Sequence, residues 1–283
     1  MQEAARIFEP SYCLYCGGRG DNRYKLRVRG KPVRIAAIVS FTMLLLTALF
    51  AGGPPVRAQA PAAALEEVDL ELVLMVDASG SVDQQEYALQ RVGYFQAFRD
   101  PRVIDAIRSG YHRKIAVAYI EWTGPFLQAA IADWTVLSDA ESVEAFAARL
   151  QKAPRVLYGG GTAVGGAIQY GADSIDNNRF TAQRKVIDVS GDGSNTSGPV
   201  ARVVRDRVVA RGFTINGLPI LTDEPYLDRF YQDEVIGGPG AFMIPASNFE
   251  DFAKAIRTKL IREIAGVEDE RDVSVAESKD FER

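Results

Sequence analysis

Cysteine is almost missing from this chain. Of 283 residues only Cys13 and Cys16 carry a thiol, and both lie close to the start. A lone C-x-x-C can be half of a redox or zinc site. Here it precedes a segment that reads as an export signal, which leaves the folded part without cysteine. Such a protein tolerates an oxidising compartment without disulfides, because a domain of roughly 200 residues buries enough surface on its own. Histidine is scarcer still. His112 is the single one, so a Ser-His-Asp triad, a histidine relay or a histidine-rich metal centre would have to rest on it. Its Tyr-His-Arg-Lys neighbourhood reads as a solvated loop. Positive charge is not in excess: 33 Lys and Arg stand against 37 Asp and Glu, a formal net charge of −4. With no basic stripe, nucleic acid is not an expected partner. There is no internal repeat. The glycine cluster around Thr162 lacks the G-K-[ST] ending of a P-loop, which excludes nucleotide binding of that kind. Apolar residues make up 47% of the chain, enough for a sizeable core and too many for global disorder.

One long apolar run is present, at 35–50. Lys25, Arg27, Arg29, Lys31 and Arg34 flank it on one side, and GGPPVRAQAPAAA follows with small-residue cleavage sites near 58–60. This is the layout of a secretory signal peptide. The run is short against the roughly 20 residues of a membrane span, so cleavage and a periplasmic or secreted product are expected. The alternative is an inner-membrane anchor at 35–50, the one case in which a membrane enters. The residues before the run make a long leader, and the true start codon could lie downstream. The expected organisation is a leader at 1–60, a linker at 61–67, one domain at 68–265 and a charged flexible tail at 266–283.

Within the domain, strands and helices alternate. Strands are expected at 68–76, 114–122, 127–137, 185–190, 213–219 and 241–244. Helices are expected at 84–99, 139–153, 163–177, 199–211 and 249–264, with a short helix or loop at 224–235. Asp83 could cap the first helix, and Pro199 would sit in the first turn of the fourth. The short Gly124-Pro125 connection implies an antiparallel hairpin, because a parallel return needs a crossover. The fold class that follows is α/β: a doubly wound, mostly parallel central sheet with one antiparallel edge strand and helices on both faces. Ligand sites in such sheets lie beyond the carboxyl ends of the strands.

Three loops should meet at that end. The first, LVLMVDASGSVD, is a buried strand running out into Asp77, Ser79 and Ser81. The second, YGGGTAVGGAI, brings Thr162 to a helix start through a tight glycine path. The third, DVSGDGSNTSG, ends a strand in Asp192-Gly193. All five side chains offer hard oxygen, which suits Mg²⁺, Mn²⁺ or Ca²⁺ rather than zinc or copper. Taken alone, Asp77, Ser79 and Ser81 also fit an ordinary cap-and-turn cluster.

The order D-x-S-x-S, glycine-flanked threonine, strand ending in D-G resembles the von Willebrand factor type A (vWA) domain and its metal-ion-dependent adhesion site (MIDAS). The resemblance covers about 68–265. It implies that Asp77, Ser79, Ser81 and Thr162 are ligands or near-ligands, that Asp192 acts through water, and that an Asp or Glu of a protein partner completes the metal sphere. Gly191 stands where many vWA domains have a hydroxyl residue before the aspartate, and Ala78 where bulkier residues are common. The segments DASGSVDQQEYALQRVGY, YIEWTG, VIDVSGDGSNTSG and INGLPILTDEP also resemble a bacterial secreted family known as domain of unknown function 1194, to which no activity is attached.

Around this site Glu121, Trp122 and Asn195 are candidates for a recognition rim. Trp122 reads equally as packing under a loop, and Asn195 and Ser197 as shaping the third loop. Thr222, Asp223 and Glu224 fit a helix cap more simply than a second cation site. The expected function is cation-dependent capture of an acidic group. The alternatives are a Mg²⁺-dependent hydrolase or phosphatase using Asp77, which lacks the second carboxylate two residues on because Ser79 stands there, and a structural module with a vestigial site.

Overall fold

The apolar run that begins the domain becomes the middle strand of a five-stranded sheet. The computed structural model describes residues 64–266; the leader, both cysteines and the tail from 267 onward lie outside the described residues. The elements in chain order are β1 (Glu66–Glu67), β2 (Leu70–Asp77), α1 (Gln84–Phe98), α2 (Pro101–Ser109), β3 (Ile115–Trp122) and β4 (Gln128–Leu137). Then come α3 (Ala140–Lys152), α4 (Val164–Asp176), β5 (Phe180–Thr181), β6 (Arg184–Gly191), α5 (Ala201–Val209), β7 (Thr214–Pro219), α6 (Leu227–Phe230) and α7 (Phe252–Ala265). The sheet order is β4-β3-β2-β6-β7. All neighbours are parallel except β3 and β4, so the antiparallel strand is at the edge, as expected.

Every residue of β2 is buried, because both faces of an inner parallel strand are covered. Its alternation divides the side chains between two cores. Leu70, Leu72, Leu74 and Val76 pack with α1, α2, α3 and α7, while Val73 and Met75 pack with α4 and α5. Each fully buried aliphatic or aromatic side chain stabilises the fold by roughly 1.5–3 kcal/mol. Ring packing adds direction, as in the edge-on pair Phe98 and Phe146 at 5.0 Å. The acid at the start of β2, Glu71, accepts hydrogen bonds from the Asn178 side chain and the Ala182 N–H.

Caps fix where the helices start. The Asp83 carboxylate accepts from the Gln85 and Glu86 N–H groups, and the Glu86 side chain accepts from the Asp83 N–H, a reciprocal capping box. Asp139 and Ser142 do the same for α3.

Four expectations need correction. Helix α2 was not anticipated, although Asp100 capping and Pro101 in the first turn announce it. Glu66–Glu67 is not linker but a strand, parallel to Phe180–Thr181. Pro199 lies before α5, whose N-cap is Val200. The segment 241–244 forms no strand. Pro239 and Gly240 stand directly before it and Pro245 directly after it, so it touches the β7 edge through isolated bridges such as Gly217 with Met243. Those bridges still cover an otherwise open sheet edge.

Candidate functional site

Strand order fixes where the loops converge. From β2 the chain continues to β3 on one side, and β6 lies on the other. The crevice between those departures opens at the carboxyl end of β2, the switch point where open α/β sheets place ligands. Asp77 is the last residue of β2, in register with Trp122, and Val76 pairs with Ser190 of β6.

The first loop folds back on Asp77. The Ser79 N–H donates to Asp77 Oδ1 at 2.7 Å, and the Ser79 and Ser81 hydroxyls are 3.1 Å apart. Ser81 Oγ then donates to Asp192 Oδ1 at 2.8 Å, joining two loops 111 residues apart in the chain. The second loop is tied to both neighbours. The Gly80 N–H reaches the Gly160 carbonyl at 3.3 Å, and the Thr162 carbonyl accepts from the Thr196 and Ser197 N–H groups. Gly160 has φ +97°, and a Cβ there would lie 2.1 Å from Thr123 Oγ1, so this tight path admits only glycine. A Cβ on Gly193 would lie 3.5 Å from Thr162 Oγ1, which places that hydroxyl over the Asp192-Gly193 turn. The structure thus gathers Asp77, Ser79, Ser81, Thr162 and Asp192 into one nest.

Gly191 has a steric role here. A Cβ at that position would come within 2.8 Å of Asp77 Oδ2 and 3.2 Å of the Tyr231 hydroxyl. A threonine there would push into the carboxylate, so glycine is what lets Asp77 and Tyr231 share that corner.

The electrostatics of the nest are one-sided. Asp77 is fully buried and Asp192 is 1% exposed. Asp77 Oδ2, Asp192 Oδ2 and the Tyr231 hydroxyl are buried with no hydrogen-bond partner. Burial, and then the charge of Asp192, push the Asp77 carboxyl up to about 8. Asp192 is also raised, chiefly by burial, with Asp223 and Glu224 adding repulsion. Among the described residues no lysine or arginine forms an ion pair with either carboxylate. Nor do three or more His, Cys, Asp or Glu side chains cluster as metal ligands; this nest holds two carboxylates and three hydroxyls. Hard oxygens with two buried, unpartnered carboxylate oxygens fit a hard divalent cation.

Two of the rim candidates are misplaced. Glu121 and Trp122 are both fully buried. Both belong to β3, an inner strand with helices over each face. Glu121 accepts from the Tyr87 hydroxyl and from Arg91 Nη1, at 2.7 and 3.0 Å. Trp122 packs into the core under α4. Asn195 is half-buried and ties the third loop to α4, accepting from the Gly165 N–H and donating to the Pro199 carbonyl.

Two contributors escape sequence reasoning, and a third, Glu224, reads in the sequence only as part of a helix cap. Arg155, in the coil before the glycine cluster, donates to the carbonyls of Ala78, Val82 and Asp83 and stacks between Tyr87 and Tyr158. It pins the first loop from outside. Glu224 accepts from the Ser194 N–H and hydroxyl and so fixes the third loop. Tyr231 opens a π-helical turn, Tyr231–Val235, a feature frequent at functional sites. No periodicity marks any of the three.

Residues 67–268 match the family described as protein of unknown function DUF1194. No curated protein matches the chain. Among solved structures, the pilus adhesin SpaC of Lactobacillus rhamnosus GG is similar at a TM-score of 0.51 and 14% identity, over 71% of this chain and 31% of that one. Proximal thread matrix protein 1 from the mussel byssus is similar at 0.50 and 13%, over 72% and 50%. A von Willebrand factor type A protein from Catenulispora acidiphila gives 0.49 and 17%, over 70% and 43%. The chain spans half or less of the length of these three. At such identities the likeness is one of fold alone, an α/β fold with a mostly parallel sheet.

Proposed function

This chain belongs to the DUF1194 family, and on that footing we propose that it is an exported binding module that holds a divalent cation and uses it to capture an acidic group of a protein partner. One observation supports this above all others. Asp77 and Asp192 sit buried in one nest, each with an oxygen that no donor reaches and neither paired with a basic side chain. Leaving a buried carboxylate uncompensated is expensive, by several kcal/mol per ion. A bound cation removes that penalty.

In this reading Asp77, Ser79, Ser81 and Thr162 hold the ion, with Mg²⁺ first and Mn²⁺ or Ca²⁺ as alternatives, and Asp192 acts through water. The ion supplies positive charge and a coordination position that a carboxylate can fill. The chain's own residues do the rest. Ser79 N–H and Ser81 Oγ orient the two carboxylates, Gly191 leaves them room, and Arg155 and Glu224 keep the loops in register. A phosphatase reading has less support, because the position two residues after Asp77 carries the buried hydroxyl of Ser79 instead of a second carboxyl. Export rests on the 35–50 run, outside the described residues. No helix among the described residues is long and apolar enough to cross a membrane.

Calorimetry with Mg²⁺, Mn²⁺, Ca²⁺ and Zn²⁺ tests the centre. Wild-type protein should bind at least one of the hard ions. Asp77→Ala should remain folded by circular dichroism and bind at least about tenfold more weakly. Equal binding by Asp77→Ala removes the assignment. A melting temperature that ignores millimolar Mg²⁺ and Mn²⁺ would favour a vestigial site. Fractionation of the source cells, with mass determination of the mature N-terminus, tests cleavage near 58–60.

A further inference from the structure

One stripe of α4 carries Gly166, buried beneath Pro125, and then the more exposed Gln169, Tyr170 and Asp173, at the i, i+3, i+4, i+7 spacing of one helical face. Pro125 and Phe126 of the β3–β4 turn rise on one side of it, and Gly198 and Pro199 of the third loop on the other. Together they line an open, mostly apolar groove of about 500 Å³. Phe126 is 92% exposed, although an aromatic ring is the side chain with most to gain from burial.

The groove adjoins the loops that build the Asp77–Asp192 nest. The Ala163 N–H donates to the Thr123 carbonyl at 3.0 Å, so α4 and the β3–β4 turn are joined one residue beyond Thr162. Asn195 bridges Gly165 and Pro199. A Cβ on Gly198 would lie 3.0 Å from Pro125 and 3.5 Å from Ala163, which shows how closely the two walls approach. The loop that carries Asp192 is therefore also a wall of the groove.

Charge sets a direction. The single charged residue lining the groove is Asp173, at the end away from the nest. From Gly166 to Asp173 the helix rises about 10 Å, the reach of about three residues of extended chain. We propose that this groove is the second half of the recognition surface, and that its occupant is an extended polypeptide segment of defined order. The order is an acidic residue at the cation, an apolar residue between Phe126 and Tyr170, and a basic residue against Asp173. The proposal rests on the cation reading above. It adds what that reading lacks, a reason for one acidic segment to be chosen over another.

The probe is an array of end-blocked synthetic peptides, each with one Asp. Phe or Gly stands one, two or three positions away on either side, and Lys or Glu stands beyond it. Binding is read by fluorescence polarisation in saturating Mn²⁺ and again with chelator, beside a Mn²⁺ calorimetric isotherm. At one spacing Phe should bind about tenfold more tightly than Gly, the gain expected from burying part of a ring. Lys should be preferred to Glu beyond it, and chelator should remove binding. Phe126→Ala should lose the Phe preference and keep the wild-type Mn²⁺ isotherm. Asp173→Lys should reverse the preference for Lys. Three outcomes overturn the groove while sparing the cation centre: Mn²⁺ binding with no peptide binding, no spacing at which Phe exceeds Gly, or an unchanged preference in a folded Phe126→Ala. Peptide binding that survives chelator overturns the coupling between groove and nest. A wild-type protein that binds no cation overturns the reading beneath both.

Discussion

Two pairs of buried acids are served by β6, and their surroundings differ by one charge. Asp188 lies within the strand, and Asp192 comes directly after its last residue, Gly191. Asp188 and Glu263 share the ammonium of Lys259, which reaches in from α7. The Lys259–Asp188 contact is 2.6 Å, and Lys259 also pairs with Glu263 one turn along the helix. Asn216 donates to Glu263 as well, at 2.8 Å. All of these side chains are essentially inaccessible to solvent. Asp77 and Asp192 are as deeply buried, yet their neighbours are hydroxyls, a phenol and further acids. The first pair is internally compensated in part; the second is not. The fold can evidently place a lysine beside buried acids. Its absence beside Asp77 is the gap that the proposed cation would fill.

The sharpest way to break this comparison is to remove the resident cation. Lys259→Met should destabilise the domain by about 3–5 kcal/mol, the usual result of stripping one partner from a buried ion pair. For a domain of this size that is a fall of roughly 10 °C or more in melting temperature. Divalent-ion affinity should be unchanged. If Lys259→Met melts like wild type, the Asp188 cluster is not compensated as described and the contrast fails.

The next test reverses the logic. In chelator near pH 8, where the Asp77 carboxyl begins to ionise, Asp77→Asn removes an uncompensated buried acid and should melt at or a few degrees above wild type, a gain of about 1–3 kcal/mol. With cation present the order should invert. A ligand at one hundred times its dissociation constant stabilises the wild-type fold by about 2.7 kcal/mol, and the variant should gain little. A loss of stability in chelator would mean that Asp77 is already satisfied by the protein.

pH should separate the two clusters further. Asp77 is pushed up to about 8, by burial first and then by Asp192. Asp188 is raised to about 7, by burial first and then by Glu263, against the pull of Lys259. An acid with a folded value above its unfolded value near 4 holds its proton more tightly in the native state. Between those values the native state binds more protons, so stability falls as pH rises, by up to about 1.4 kcal/mol per pH unit for one group. In chelator, wild type should lose stability from pH 5 to 8. Asp77→Asn and Asp188→Asn should each flatten that slope. Only the Asp77 contribution should vanish when cation is added, because cation and proton compete for the same oxygen. Denaturant titrations across that range, with and without Mg²⁺, measure it. A slope at Asp188 that also responds to cation would sink the distinction.

The contrast also marks what the chain discloses in its sequence. The run ending in Asp77, the glycine-flanked Thr162 and the strand end at Asp192 are local patterns, and each advertises its own turn. Sheet alternation then brings them to one end, so the fold class and the convergence of the five side chains were both legible. The burial of Glu121 was not, and that of Trp122 stayed open between core and rim, because a strand end reads the same whether or not helices close over it. Lys259 was hidden for a related reason. On α7 it reads as one more solvated helix lysine, and only packing against β6 and β7 reveals an internal counter-charge. The segment 241–244 was misread because short apolar runs do not distinguish a strand from an edge cover.

Arg155 sits between these cases and gives the finest test. Its guanidinium forms no salt bridge among the described residues, although its charge acts on buried Glu121. It donates to the Ala78, Val82 and Asp83 carbonyls and lies against Tyr87 and Tyr158, at 4.8 and 5.2 Å from the ring centres. Lysine keeps the charge but not the planar fork that serves several carbonyls at once. If Arg155 acts by holding the first loop, Arg155→Lys should change stability by only about 1 kcal/mol. It should nevertheless weaken cation binding severalfold, because Ser79 and Ser81 are then presented by a looser loop. If Arg155 serves only the fold, Arg155→Lys and Arg155→Met should lower the melting temperature together and leave the calorimetric affinity at its wild-type value. An affinity that falls while the melting temperature in chelator holds would extend the comparison: one cluster carries its cation within the fold, and the other depends on an arginine some distance away to stay ready for one.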